Sequence, residues 1–98
     1  MAGEAVKIIS VLGKPATFDI LRAIEKRKHR AYPSALHRVV QLSRGTILAR
    51  LKELEEVGIV MRTPDFDASG QKPILKYSIT KKGYDILRTI ATLPTRGD

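Results

Sequence analysis

The spacing of apolar positions changes along the chain, and those changes divide it into elements. Between Glu4 and Leu12, the residues Ala5, Val6, Ile8, Ile9, Val11 and Leu12 predict a short, apolar helix over about 4–12, ended by Gly13. A second helix, about 15–29, opens on Pro15, because a first helical turn has no need of the missing N–H. Phe18, Leu21, Ala23 and Ile24 mark its inner face, with Arg22, Glu25 and Lys26 opposite. The run Lys26-Arg27-Lys28-His29-Arg30 closes it, where cations suit the carbonyl end of the helix dipole. Pro33 starts a third helix, about 33–40, carrying Ala35, Leu36, Val39 and Val40. Gln41 and Leu42 make a turn, and the Ser43 hydroxyl can accept from the open amides of a fourth helix, about 44–57. Ile47, Leu51 and Leu54 form the inward stripe of that helix, and Gly58 is placed to stop it in the left-handed conformation.

Beyond Gly58 the period falls to two. Ile59-Val60-Met61-Arg62-Thr63 is rich in β-formers, and Leu75, Tyr77 and Ile79 alternate with Lys76, Ser78 and Thr80. Strands are therefore expected at about 59–63 and 74–79, joined by a polar, turn-rich loop from Pro64 to Pro73. Thr80 can cap a last helix, about 81–93, whose apolar positions are Tyr84, Ile86, Leu87, Ile90, Ala91 and Leu93, with Pro94 beyond it. The fold class is mainly α with a small β-hairpin. No repeat or linker interrupts residues 1–98, which read as one domain.

Composition narrows the functional classes. Eighteen Lys and Arg against ten Asp and Glu leave a net charge of +8, which draws a small globule toward polyanions, nucleic acid first and acidic membrane surfaces second. No cysteine is present, so disulfides, thiolate metal sites and a cysteine nucleophile are excluded. Two histidines, His29 and His37, cannot build a zinc site by themselves and are not spaced as a ligand pair, so no metal and no cofactor is expected. Neither a phosphate loop nor a nucleophile elbow nor a carboxylate pair with catalytic spacing is present, and the chain reads as a non-enzyme. The first residues lack a basic, then apolar, secretory pattern, and no apolar run approaches the roughly 18–20 residues of a membrane span. A cytoplasmic, nucleoid-associated protein with no membrane partner is the expectation.

Several stretches carry a resemblance. Leu12-Gly13-Lys14-Pro15-Ala16-Thr17-Phe18-Asp19-Ile20-Leu21-Arg22 and Ser34-Ala35-Leu36 are similar to the entry and first element of ArsR-type regulators. Ser43-Arg44-Gly45-Thr46-Ile47 looks like a recognition-helix opening, and Leu51-Lys52-Glu53-Leu54-Glu55-Glu56-Val57-Gly58-Ile59-Val60 is close to the family's most specific stretch. With Tyr77-Ser78-Ile79-Thr80 and Gly83, the chain over about residues 5–93 resembles the winged helix-turn-helix transcriptional regulators of the ArsR, MarR and PadR type, found in archaea and bacteria. The resemblance implies sequence-specific binding of double-stranded DNA by a homodimer, as a repressor rather than an activator. It departs from the metal-sensing ArsR proteins, because Pro33-Ser34-Ala35-Leu36-His37-Arg38 lacks their cysteine pair.

With Ile47, Leu51 and Leu54 turned inward, Arg44, Gly45, Thr46, Ala49 and Arg50 are left near the outward face. Arg44 or Arg50 can fork onto a guanine, Thr46 can meet a base edge or phosphate, Gly45 permits close approach, and Ser43 suits a phosphate. Leu48 faces either DNA or the first core helix. In the wing, Arg62, Gln71 and Lys72 are the candidate contacts, opposed by Asp65 and Asp67 in the same loop. Val6 and Ile9 in the first helix, with Tyr84, Leu87 and Ile90 in the last, exceed what one small core needs and are expected at a dimer interface. Two alternatives remain: a weakly specific chromatin or architectural DNA-binding protein, and a winged-helix protein-interaction module.

Overall fold

Seven elements follow one another: α1 (Ala2–Leu12), α2 (Thr17–Arg27), α3 (Pro33–Val39), α4 (Arg44–Glu56), β1 (Val60–Phe66), β2 (Pro73–Ile79) and α5 (Lys81–Ala91). The computed structural model describes residues 2–27, 31–66, 70 and 73–91. The core lies where α2, α3 and α4 converge on the hairpin. Ile20, Leu21 and Ile24 of α2, Leu36 of α3, and Ile47, Leu51 and Leu54 of α4 meet Ile59, Val60, Tyr77 and Ile79 there. Each wholly buried Leu or Ile contributes roughly 1.5–3 kcal/mol. That contribution is needed by α3, whose seven residues are too few to hold a helix alone. Leu36, with no exposed surface, pins it to the core.

The entry to α2 departs from the expected start at residue 15. Pro15 lies in the turn before the helix, and Ala16 takes a left-handed backbone with φ of 65°. The first helical bond runs from the Ile20 amide to the Ala16 carbonyl at 3.0 Å. Thr17 explains why the chain accepts this. It is wholly buried, and its hydroxyl donates to the Val11 carbonyl at 3.0 Å, satisfying the open end of α1. A buried hydrogen bond thus sets the corner, at the strain of one non-glycine residue in the left-handed region. At the other end, the expected residues 28 and 29 lie outside the described residues.

The hairpin is longer than alternation suggested. β1 continues past residue 63 through Pro64 to Phe66, paired antiparallel with β2 from Val60↔Ile79 to Phe66↔Pro73. Proline is tolerated because, among the described residues, β1 has no strand on its other side, so the missing N–H costs no ladder bond there. At its outer edge β2 is tied inward, since the Tyr77 amide donates to the Ala31 carbonyl at 2.9 Å. The last helix is described to Ala91, and residues 92 and 93 of the expected span lie outside the described residues. Thr80 caps it as expected, its Oγ1 accepting from the Gly83 amide at 2.9 Å.

Candidate nucleic-acid interface

A helix, a tight turn and a second helix place α4 against the solvent. The turn begins where the Val40 amide closes α3 onto the Leu36 carbonyl at 2.9 Å, and the Leu42 amide then donates to Val40 at 2.7 Å. His37, which lacks metal-ligand spacing in the sequence, straps this turn: its Nδ1 lies 2.8 Å from the Leu42 carbonyl, which accepts. Ser43 is the N-cap of α4, in extended backbone, with Oγ accepting from the Thr46 amide at 3.2 Å and lying 2.8 Å from the Thr46 hydroxyl. Gly58, with φ of +80°, ends the helix as the sequence indicates: its amide donates to Glu55 at 3.0 Å and the Ile59 amide donates to Leu54 at 2.9 Å. Both ends of α4 are therefore fixed by bonds local to the sequence.

Between those ends, the three buried residues Ile47, Leu51 and Leu54 orient the rest. The row opposite them is Gly45, Ala49, Lys52 and Glu56, all exposed. Arg44 and Leu48 form the adjoining row, also exposed, with Leu48 at 45 %. Among the described residues, no ion pair or side-chain hydrogen bond engages Arg44 or Lys52. A Cβ built on Gly45 meets nothing within 4 Å, so its backbone stands open. Lys52 is the residue that reading the helix opening alone missed. The spacing that sends Ile47, Leu51 and Leu54 inward carries the signal, since it turns Lys52 outward.

Arg50 is placed differently from Arg44. Its Nη1 lies 2.6 Å from Glu53 Oε1, and its side chain is only 19 % exposed. Lys14, delivered by the turn before α2, binds the other oxygen of the same carboxylate. These two cations hold the Glu53 carboxyl below its ordinary value, Lys14 foremost, against the opposing effect of partial burial. Arg50 thus lies on the flank of α4 that faces α1 and the α1–α2 turn. Thr46, half-buried on that flank, has its hydroxyl beside that of Ser43.

The wing is acidic only in part. Arg62 is half exposed, its Nε 3.6 Å from Glu55 Oε2, and it sits across the hairpin from Tyr77. Burial raises the pKa of the Tyr77 hydroxyl, an effect opposed by the Arg62 charge. Asp65, expected to repel phosphate, is turned back onto the fold. It accepts from the Tyr32 hydroxyl at 3.0 Å and from the Phe66 amide at 2.9 Å, and these bonds, the Phe66 amide first, lower its pKa. Asp67, Gln71 and Lys72 lie outside the described residues.

Of the residues expected at a dimer interface, Val6 and Ile9 are 64 % and 68 % exposed, and Tyr84 is 40 % exposed. Leu87 and Ile90 instead sit half-buried against the chain's own core, beside Phe18 and Leu21. Among the described residues, no group of three or more His, Asp or Glu is placed to hold a metal. No described helix is long and apolar enough to cross a membrane.

Comparison with known proteins agrees with this architecture. The model of a family described as HxlR-like helix-turn-helix matches residues 11–98. No curated protein matches the chain. Among solved structures, diamide-treated YodB from B. subtilis is similar at 22 % identity and a TM-score of 0.72, over 86 % of this chain and 79 % of that one. A transcriptional regulator homologue from Pyrococcus horikoshii OT3 is similar at 22 % identity and a TM-score of 0.71, over 92 % and 88 %. A MarR-family regulator from Enterococcus faecalis V583 reaches a TM-score of 0.70 at 17 % identity, over 86 % and 73 %. At these identities the likeness is one of fold.

Proposed function

The chain belongs to the HxlR-like helix-turn-helix family, and from that premise we propose that it is a sequence-specific, double-stranded-DNA-binding transcriptional regulator, a repressor acting as a homodimer. One observation carries the reading: the outward face of α4 presents two cations, Arg44 and Lys52, that no described residue pairs, and no acid occurs from Arg44 to Lys52. A solvated face of no function has no reason to segregate charge in this way, and a net charge of +8 reinforces the attraction to a polyanion.

In the proposed complex α4 lies in the major groove. Arg44 forks onto a guanine or clamps a phosphate, and Lys52, about two turns further on, meets the backbone. The amides of Arg44 and Gly45, left over by the Ser43 cap, donate to a phosphate oxygen with help from the helix dipole. Ser43 and Thr46 brace that turn, and Gly45 lets DNA approach the backbone. Arg50 acts through position, holding α4 to Glu53 and so to Lys14. Arg62 supplies a flanking phosphate contact at the base of the wing, with Gln71 and Lys72 as the further wing contacts. A cytoplasmic, nucleoid-bound site of action accompanies such a partner.

Selecting bound duplexes from a random library across a salt series tests this reading. The expected result is a palindromic motif whose affinity falls steeply with salt. Arg44→Ala is to weaken binding by about 1–3 kcal/mol and relax the motif at one position. Absence of binding at low salt overturns the proposal, and a flat preference replaces it with a chromatin-packing role.

A further inference from the structure

We propose that Leu48 and Ala49 read the 5-methyl group of thymine, so that each half-site must carry a T·A pair where the middle of α4 meets the groove; this rests on the DNA-binding reading above. Leu48 is 45 % exposed in a helix whose inward leucines, Leu51 and Leu54, are wholly buried. It is therefore not a core residue that failed to fit, but an apolar side chain on the solvent row. Its neighbours on that surface are Arg44 one turn before, Lys52 one turn after, and the small Gly45 and Ala49 beside it. The patch is an apolar centre between two cations that no described residue pairs.

Charge decides what covers such a patch. A second copy of this chain, or another basic protein, meets like charge at both ends, and one leucine with one alanine is too little apolar surface to offset that repulsion. Duplex DNA supplies a phosphate to Lys52, a guanine edge or a phosphate to Arg44, and base edges to the centre. Among the four base-pair edges in the major groove, only thymine offers an apolar group. Guanine, cytosine and adenine present donors and acceptors that a leucine would strip of water without replacement. The other residue able to fork a guanine from this helix, Arg50, is held at 2.6 Å by Glu53 with its side chain 19 % exposed. The middle of α4 therefore selects by methyl contact, and hydrogen-bond readout is left to Arg44.

The test replaces each thymine of the selected duplex, one at a time, by deoxyuridine, which removes only the methyl group. The whole chain and its Leu48→Ala variant are titrated against every duplex. At one or two positions in each half-site, wild type is expected to lose about three- to fivefold in affinity, the value of one buried methyl. Leu48→Ala, which changes a half-exposed residue to a better helix former and leaves the core intact, is to bind thymine and uracil duplexes equally at the position Leu48 reads, leaving any sensitivity at the position of Ala49. Binding of wild type that is indifferent to uracil at every position overturns the inference and leaves DNA binding standing. Uracil sensitivity that persists undiminished in Leu48→Ala overturns the assignment to Leu48. Failure of wild type to bind any duplex at low salt removes the underlying reading itself.

Discussion

A Cβ added to Gly83 lands 2.3 Å from the Ile59 carbonyl oxygen and 2.8 Å from Ile79 Cγ2. The first of these is backbone, which cannot rotate away, so α5 can lie this close to the start of β1 only because residue 83 has no side chain. Thr80 locks the same contact from the other side. Its amide donates to Ile59 at 2.9 Å, and its hydroxyl donates to the Gly58 carbonyl while accepting from the Gly83 amide. Gly83→Ala must lift α5 off the hairpin. The expected loss is roughly 1–3 kcal/mol, seen as a thermal midpoint lower by about 5–20 °C; an unchanged midpoint contradicts this packing. Gly58 and Gly83 differ in how readable they are. Gly58 ends a helical stripe, and its left-handed φ follows from local spacing. Gly83 is needed because of Ile59, far away in the chain, and no local pattern carries that.

The placement of α4 depends on a carboxylate between two cations. Glu53 takes Arg50 from its own helix and Lys14 from the α1–α2 turn, so one side chain fixes the candidate recognition helix against the helix pair before it. With its folded pKa lowered, protonation is harder in the native state than in the unfolded chain. The stabilisation is therefore complete at neutral pH and disappears as pH falls through the lowered native value. Glu53→Gln is expected to cost about 0.5–1 kcal/mol near neutral pH, a modest figure because the groups are partly solvated. By about pH 3 the difference from wild type is to shrink toward zero. Urea denaturation of both proteins at the two pH values decides it, and a difference that is equal at both contradicts the role given to the charge. The helices and the existence of the hairpin were legible, because each is carried by a stripe or an alternation. Three features were not. Pro15 reads as a helix start unless one knows that buried Thr17 ties the corner to Val11. Pro64 reads as the end of a strand unless the strand is known to lack an outer neighbour. Arg50 reads as outward until Lys14 arrives from another element to share its carboxylate.

At the scale of the molecule, the question is what α1 is for. Of its residues, Val11 and Leu12 join the core with Ile8 packed against it, whereas Val6 and Ile9 stand in solvent one turn apart at 64 % and 68 % exposure. Its N-terminal end is held in place by Glu4, which binds Lys82 at the start of α5. A helix held at both ends that leaves Val6 and Ile9 in solvent is the surface we propose for an apolar partner. Tyr84 on α5 is also exposed, at 40 %. Leu87 and Ile90, half-buried against Phe18 and Leu21, keep part of their surface for such a partner. In a two-fold dimer every contact occurs twice, so Val6 and Ile9 offer four aliphatic side chains, each worth roughly 1.5–3 kcal/mol when fully buried. That gain is comparable with the cost of association, about 4–15 kcal/mol, so the proposed dimer needs α1 together with further contacts. Light scattering on an eluting peak is expected to give twice the chain's 10.9 kDa at micromolar concentration. The double variant Val6→Glu, Ile9→Glu is to give the single-chain mass with the same helical content, because neither residue lies in the core. It is also to bind a full palindrome no better than an isolated half-site, since the two recognition helices would no longer be held about 34 Å apart. A wild-type chain that elutes as a monomer, or a double variant that remains dimeric, excludes α1 as the interface.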